Sequence, residues 1–218
     1  LVISLAAIEP LMAAAIPTIG TQAAGIALTL FALGNAVTQQ ATGRLVDRVG
    51  RRPLYATGTL VAGAGFAIYG MASTVGDLYA GRFVYAIGLA FVGVMIAVTA
   101  ADYPAESSRG KIAGVSGVLN GLGIGLATAL FAALPTIFKA QGMTSADAGR
   151  YMLFVMAGLA ALTAIIMQVG LKGGTPSGRS ARISLPRILQ IGIRQGLDNP
   201  RLLVCYAGSF ISRADLTL

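Results

Sequence analysis

Four ionisable residues lie inside long apolar stretches of this sequence, where a charge is costly. They are Glu9, Arg82, Arg213 and Asp215. A charged side chain near the middle of a membrane span costs about 2.5–3.5 kcal/mol on insertion scales, so a charge found there indicates a function. A carboxylate at such a depth suits the loading and release of a proton, and an arginine suits a coupling ion or an anionic substrate. These residues predict proton coupling or substrate binding inside a membrane.

A second group of charges is concentrated in the stretch GRLVDRVGRRPL, residues 43–54, which holds one acidic and four basic residues. Gly50 would permit a tight turn between two antiparallel helices, and Gly43 would let a neighbouring helix or loop come close. Asp47 could pair with a nearby arginine or approach a helix N-terminus. We interpret the cluster as a latch at one membrane surface, closed in one conformation and broken in another.

The composition identifies lipid as the solvent of these residues. Of 218 residues, 56% are hydrophobic and 11% charged, with a mean hydropathy of +0.77. A soluble domain usually carries about 25% charged residues. The net charge of +8 does not indicate nucleic acid, because no basic patch is interleaved with aromatic residues. Basic residues that flank membrane spans explain it better.

Apolar stretches long enough to cross a bilayer, about 20 residues each, predict six spans and the start of a seventh. Their approximate ranges are 1–19, 22–42, 53–73, 78–101, 111–134, 150–171 and from 201 onward. The chain begins and ends inside apolar runs, so we expect it to be truncated at both ends. Whether residues are also missing near Gly20 and Thr21 is left open.

Basic residues set the expected orientation, because they accumulate in cytoplasmic connections. The connections after the second, fourth and sixth segments hold 12 of the 16 basic residues. We therefore expect these connections to face the cytoplasm, and the first segment to run from inside to outside.

The long connection after the sixth segment has two parts. GGTPSGRS, residues 173–180, has the composition of a flexible linker. In residues 184–200 the apolar positions follow helical spacing, which predicts an amphipathic helix on the membrane surface; an irregular basic loop is the alternative. We predict three regions: a six-helix bundle (1–172), a cytoplasmic linker (173–200) and the start of a second bundle (201–218).

Glycines recur every three or four residues in the fifth segment and form a ridge that another helix can approach closely. Asn120 lies in this region and could line a cavity or form a hydrogen bond between helices. The run GLGIG at 121–125 lacks the spacing of a nucleotide-binding loop and has no preceding strand. The ridge comprises Gly110, Gly114, Gly117, Gly121 and Gly125.

Several kinds of chemistry find no support in the residue types. The sequence has one cysteine, Cys205, and no histidine, so it has no Cys/His metal cluster and no internal disulfide. We expect no cofactor, no metal and no enzymatic activity. A proton pathway would have to use carboxylates.

The stretch at 43–54 resembles the signature of the major facilitator superfamily, G-x-L-(a)-D-R-x-G-R-(R/K), between its second and third transmembrane helices. LYAGRFVYAIGLAF (78–91) is similar to the pattern of the family's fourth helix, and AIEPLMAAAIPTIG (7–20) is similar to the first helix of its drug:proton antiporters. YPAESSRGKIAG (103–114) resembles the link into helix five. One departure is the lack of the Gly-Pro pair that antiporters carry late in helix five, since Pro135 comes too late. The matching residues are Gly43, Leu45, Asp47, Arg48, Gly50, Arg51 and Arg52 of the signature, with Arg82, Gly88, Glu9 and Pro17 in the two helices.

The resemblance implies an all-α, multi-pass membrane protein in a bacterial inner membrane or a plasma membrane, with the fold of this superfamily. The chain would be the N-terminal half of a monomeric twelve-helix protein plus the start of helix seven. Its expected activity is secondary transport of a small organic solute by alternating access, through proton-coupled export. Uptake by symport, uniport, and a non-transporting receptor on the same fold are the alternatives.

The similarity of the two halves places Glu9 and Asp215 at corresponding positions of helices one and seven. We expect these two carboxylates to face one central cavity, with Arg82, Asn120 and Arg213 as its other polar residues. In the resembling families the arginine of helix four is linked to proton transfer. Otherwise Arg82 would extend outward to the membrane surface.

Overall fold

A computed structural model describes residues 21–102, 105–171, 185–199 and 204. Within these ranges every regular element is a helix. The chain separates into two compact units, Leu1–Pro176 and Ser177–Leu218. Six α-helices are described: α1 (Thr21–Val49), α2 (Arg51–Met71), α3 (Val75–Asp102), α4 (Arg109–Ala140), α5 (Ser145–Gly170) and α6 (Leu185–Asp198), with a short 3-10 turn at Glu106–Ser108 before α4.

Helix α1 is longer than the sequence pattern predicts, and the connection after it is much shorter. The second segment is predicted over 22–42, but α1 continues to Val49 and α2 begins at Arg51. Only Gly50 lies between them, with φ of 91° and ψ of 165°. Its N–H still donates to the carbonyl oxygen of Val46 at 3.0 Å. The charged stretch is therefore the end of one helix and the start of the next, because charged side chains at a membrane surface do not interrupt a helix.

The connections after α2 and α4 are also short. Residues 72–74 join α2 to α3, and the Asp77 carboxylate accepts hydrogen bonds from the N–H groups of Ser73 (3.0 Å) and Thr74 (2.9 Å). At the start of α5 the Thr144 hydroxyl accepts from the N–H of Asp147 at 3.1 Å. These side chains satisfy N–H groups that a helix start leaves without partners. The caps explain why α3 and α5 begin three and five residues earlier than predicted.

Helix α2 is the centre of the first unit. It packs against α3 on one side and α5 on another, and α1 packs against α3. Helix α4 makes far fewer contacts, mainly with α5. The core between them is built of aromatic, methionine and small residues: Ala62, Phe66, Tyr69, Ala72, Leu78, Tyr85, Phe131, Met152, Leu153 and Met156.

Large apolar side chains also cover the outside of the unit. Leu33, Val37, Leu126, Ile165 and Val169 are among those that are exposed. Such a surface would be unstable in water, and it is what a helix needs beside lipid. Four of the described helices have the length and hydropathy to cross a membrane: Arg51–Met71, Val75–Ala100, Gly110–Ala140 and Ser145–Gly170. The first and seventh predicted segments lie outside the described residues, except for Val204 in the seventh.

Helix α6 belongs to the second unit and confirms that residues 185–198 are helical. Its 14 residues span about 21 Å at 1.5 Å per residue, too little to cross a bilayer. Ile193 and Leu197 are exposed on it. The alternative of an irregular loop is wrong for this stretch.

Candidate functional site

A buried arginine stands at the contact between α2 and α3. Arg82 lies seven residues after the start of α3 and is only 7% exposed. Its guanidinium carbon lies 5.8 Å from the centre of the Tyr69 ring of α2, within the range of a cation–π interaction. The side chain lies among the helices and does not extend to the outer surface. Of the two alternatives for Arg82, the structure therefore supports the inward one.

Tyr85 stands one helical turn beyond Arg82 and is 1% exposed. Its ring stacks on Phe31 of α1, with 5.7 Å between ring centres, and packs on Phe66 of α2 at 4.6 Å. Within the described residues its hydroxyl has no hydrogen-bond partner. A buried hydroxyl without a partner costs about 1–3 kcal/mol, so the hydroxyl is available to a ligand or to a group outside the described ranges.

Two glycines bring this arginine and tyrosine against the neighbouring helix. A Cβ atom at Gly65 of α2 would lie 2.5 Å from the backbone nitrogen of Tyr85, and a Cβ atom at Gly88 of α3 would overlap the backbone of Ala62. Only glycine fits at such a contact. The close approach of α2 and α3 thus holds Arg82 and Tyr85 inside the bundle.

Arg150 is a second arginine, at the end of the same core that lies beside the α2–α3 connection. Its Nη2 donates to the carbonyl oxygen of Ala72 at 3.3 Å, and its Nε is buried without a hydrogen bond within the described part of the chain. The sequence pattern places Arg150 at the edge of the sixth span, but it lies five residues inside α5. It ties the α2–α3 connection to α5.

A row of polar side chains on α1 was not identified from the sequence. The amide of Asn35 donates to the carbonyl oxygen of Ala86 at 3.5 Å, and Gln39 donates to the side-chain oxygen of Asn35. Thr42 is fully buried and donates to the carbonyl oxygen of Thr38 at 2.7 Å. The sequence feature that could have identified this row is the spacing of residues 35, 39 and 42, which places them on one face of a helix. This face leads from the middle of α1 toward the charged stretch at its end.

The charged stretch itself forms a tight junction of α1 and α2. Val46, Leu54 and Met95 form a small buried cluster beside it. Gly50 makes the turn that the sequence predicts. Within the described residues nothing lies within 4 Å of a Cβ atom built at Gly43, so its role as a point of close approach stays a prediction.

The arginines of this junction differ in their surroundings. Arg48 is exposed, and Arg51 and Arg52 are partly buried. The Nε of Arg52 is buried without a hydrogen bond in the described ranges. Asp47 lies in the last turn of α1, and its side chain is outside the described set, so its pairing with an arginine stays a prediction.

Of the remaining predicted site residues, the structure describes only Asn120. Asn120 is exposed on α4, so the described residues do not show it lining a cavity. Glu9, Arg213 and Asp215 lie outside the described residues. Of the two predicted cavity residues that the structure describes, Arg82 lies in the bundle core and Asn120 does not. Within the described ranges, no three His, Cys, Asp or Glu residues stand together as metal ligands.

Comparisons with known proteins identify relatives of this chain. The sequence pattern of the family described as "Major Facilitator Superfamily" matches residues 2–214. The tetracycline resistance protein, class E, of Escherichia coli is 36% identical over 100 residues, which are 46% of this chain and 24% of that protein. The inner membrane transport protein YajR of Escherichia coli (strain K12) is 32% identical over 106 residues, 49% of this chain and 23% of that protein. The matched stretches thus span about a quarter of each relative.

Proposed function

Because this chain belongs to the Major Facilitator Superfamily, a family of multi-pass membrane transporters and not of enzymes, we propose that the protein exports a small organic solute in exchange for protons. It would work by alternating access, with two helical bundles rocking around a central site. A tetracycline resistance protein and an inner membrane transport protein among its relatives support efflux across a bacterial inner membrane. We further propose that it acts as a monomer.

The observation that carries this proposal is the buried Arg82 beside Tyr69, together with the buried hydroxyl of Tyr85, which has no hydrogen-bond partner among the described residues. A purely structural bundle in lipid has no need of a cation in its core, and a charge there marks a substrate or ion pathway. A cation favours a negative neighbour, so Arg82 would bias a nearby carboxylate toward its deprotonated form. Transport would then couple the release of a proton to a change of conformation.

We assign the proton-carrying role to the carboxylates Glu9 and Asp215, which the two halves of the fold would aim at one cavity. Arg213 and Asn120 would contact the solute, and Arg82 would respond to the protonation of Glu9. The junction of α1 and α2 would serve as the latch on the inner side, through Gly43, Asp47, Arg48, Gly50, Arg51 and Arg52. Its one-residue turn supports this role, because a rigid junction transmits a rotation of α1 directly to α2.

Uptake by proton symport and uniport are the second candidates. The position of Pro135 supports symport and uniport as alternatives to export. It lies inside α4 near its end and does not form the Gly-Pro pair of antiporters. A non-transporting receptor is a weaker candidate, since it would not need a buried arginine.

The test uses the complete protein in proteoliposomes that contain a pH-sensitive dye. Gradients of a panel of solutes, tetracyclines included, are imposed on the wild type, Glu9→Gln, Asp215→Asn, Arg82→Gln and Arg82→Lys. We expect one solute to drive proton movement in the wild type, with a loss of at least about tenfold in Glu9→Gln or Asp215→Asn and in Arg82→Gln. The control is Lys139→Gln, which changes an exposed basic residue at the end of α4.

Each of the other outcomes of this experiment would support one of the alternative functions. Solute flux without proton movement, unchanged in the carboxylate variants, would mean a uniporter. Proton and solute moving in the same direction would mean a symporter. No flux of any solute, with specific binding retained, would favour a receptor.

A further inference from the structure

Helix α1 is long enough to cross a bilayer, but it carries polar side chains along one of its sides. Its 29 residues extend about 43 Å at 1.5 Å per residue, yet α1 is not among the four helices with the hydropathy of a membrane span. The polar residues Asn35, Gln39 and Thr42 share one side of the helix, which we call the polar face of α1. An amide turned toward lipid without a hydrogen-bond partner is costly. The surroundings of this face therefore need an explanation.

The opposite side of α1 is apolar. Ile26, Leu33 and Val37 are all exposed there, Val37 to 71%. They lie about 160–180° around the helix axis from Asn35. Lipid is the favourable cover for such side chains. The polar face of α1 is therefore turned into the bundle.

Asn35 is the middle residue of α1 and fixes the polar face against α3. Its side chain is buried, and its amide donates to the carbonyl oxygen of Ala86 at 3.5 Å. One helical turn earlier, the ring of Phe31 stacks on Tyr85. The side-chain oxygen of Asn35 accepts a hydrogen bond from Gln39. Asn35 thus joins α1 to α3 and also orients the carboxamide of Gln39.

Gln39 has hydrogen-bonding capacity that its neighbours do not use. A carboxamide offers two N–H donors and one acceptor oxygen. Within the described residues, the hydrogen bond of Gln39 to Asn35 uses one donor, so one N–H and the oxygen are left over. The side chain is only partly buried. Because a half-satisfied amide in an apolar phase is costly, we expect Gln39 to border a polar space inside the bundle.

We propose that Gln39 binds an uncharged hydrogen-bonding group of the transported solute, such as an amide, a carbonyl or a hydroxyl, and that Asn35 positions Gln39 for this contact. The inference rests on the proposed transport of a small organic solute and names one chemical feature of that solute. A neutral carboxamide can donate to such a group and accept from it at the same time. A solute without such a group gains nothing from Gln39.

The first part of the test requires no solute. In the complete protein all native cysteines are replaced by serine, and one cysteine is introduced by Gln39→Cys or by Val37→Cys. The protein in nanodiscs is treated with a charged, water-soluble methanethiosulfonate. We expect position 39 to react at least about tenfold faster than position 37, because the reactive thiolate forms in a polar space and not in lipid. Equal rates at the two positions would overturn the proposal.

The second part measures KM and the maximal rate for each solute that the wild type moves in proteoliposomes. Tetracycline is the probe with amide and hydroxyl groups, and tetraphenylphosphonium is the probe without them. We expect Gln39→Leu to raise KM for hydrogen-bonding solutes about three- to tenfold at an unchanged maximal rate. Gln39→Asn keeps the carboxamide and should stay nearer the wild type. Asn35→Leu should raise KM less, because Gln39 then keeps its amide and loses only its orientation.

The matched control is Gln168→Leu, which makes the same change at an exposed residue near the end of α5 and should leave KM unchanged. The proposal is wrong if Gln39→Leu changes KM for no transported solute, or if it impairs solutes with and without hydrogen-bonding groups alike, since that would show a structural role. If the wild type moves no solute, the proposed export fails instead, and the labelling rates still decide whether Gln39 borders a polar space.

Discussion

Two parts of this molecule carry glycines at regular spacing, but their helices pack in different ways. At the α2–α3 contact, Gly58 and Gly65 of one helix and Gly81 and Gly88 of the other face the partner's backbone or the first atoms of its side chains. On α4, nothing in the described residues lies within 4 Å of a Cβ atom at any of the five ridge glycines. Spacing alone therefore does not bring helices together. Reciprocal small residues on two adjacent helices do so, because each backbone needs a gap in the other.

The ridge of α4 thus stays a prediction as a docking surface. Helix α4 reaches its neighbours chiefly through large side chains, as in the contact of Phe138 with Tyr151 of α5 at 6.2 Å between ring centres. Matched substitutions can distinguish the α2–α3 contact, which we call the packed region, from the glycine ridge of α4, which we call the open region.

The largest difference is expected between Gly88→Leu and Gly117→Leu. In the packed region the first added carbon would overlap the Ala62 backbone, so we expect the free energy of unfolding to fall by about 3 kcal/mol. On α4 the same change should be neutral or stabilise by about 0.5–1 kcal/mol, because leucine has the higher helix propensity. Denaturant unfolding in detergent micelles measures both. Equal losses would mean that the ridge of α4 is also packed.

The second comparison concerns the two glycines with positive φ. Gly50 is buried at the junction of α1 and α2, and Gly142 follows the end of α4, with φ of 91° and 87°. Gly50→Ala should lower the free energy of unfolding by about 1–3 kcal/mol, because its ψ of 165° puts it in a region that only glycine occupies readily. Gly142→Ala also meets backbone strain but has open space around it, so its loss should be smaller. Thermal unfolding of the two variants separates them, and a larger loss at Gly142 would contradict this ranking.

A third comparison removes one hydroxyl from the packed α2–α3 region and one from an exposed tyrosine of α5 that contacts α4. Tyr85→Phe removes a buried hydroxyl without a described partner, so we expect the free energy of unfolding to rise by about 1 kcal/mol. Tyr151→Phe changes an exposed residue and should have no measurable effect. If the Tyr85 hydroxyl contacts the solute or a proton carrier, transport falls while stability rises. A loss of stability in Tyr85→Phe would show that the hydroxyl already has a partner.

The smallest difference is expected at the helix starts. Thr144→Ala removes a hydroxyl that accepts from the N–H of Asp147 at the start of α5, which should cost about 0.5–1 kcal/mol. Ser108 stands at the same position before α4, but its hydroxyl donates to the carbonyl oxygen of Ala105 and makes no cap. Ser108→Ala should therefore cost less than Thr144→Ala in the same unfolding assay, and the reverse order would contradict the assignment of the caps.

Much of the fold could be predicted because membrane spans are long and apolar. Helices α2 to α5 coincide with the predicted third to sixth segments to within a few residues at most ends, and α6 lies within the predicted amphipathic stretch. The helix ends could not be predicted as well, because they depend on hydrogen bonds of single side chains such as Thr144 and Asp77. The length of α1 was underestimated for another reason: charge marks the membrane surface, and it does not mark the end of a helix.

The candidate site was predicted only in part. Arg82 could be identified because a charge in an apolar run is rare. Asn35, Gln39 and Tyr85 could not, because uncharged polar residues and tyrosines are common in spans and their burial depends on which helix lies opposite.

The sequence by itself determined the solvent of this protein, the helical class and the family, because hydropathy, length and the signature at 43–54 are local properties of the chain. Only the tertiary structure decided that Arg82 and Tyr85 lie inside the bundle, that Asn120 and the glycines of α4 are exposed, and that one residue joins α1 to α2. These features depend on which surfaces of two helices meet, and that choice depends on residues far apart in the chain, such as Gly65 against Tyr85 and Gly88 against Ala62.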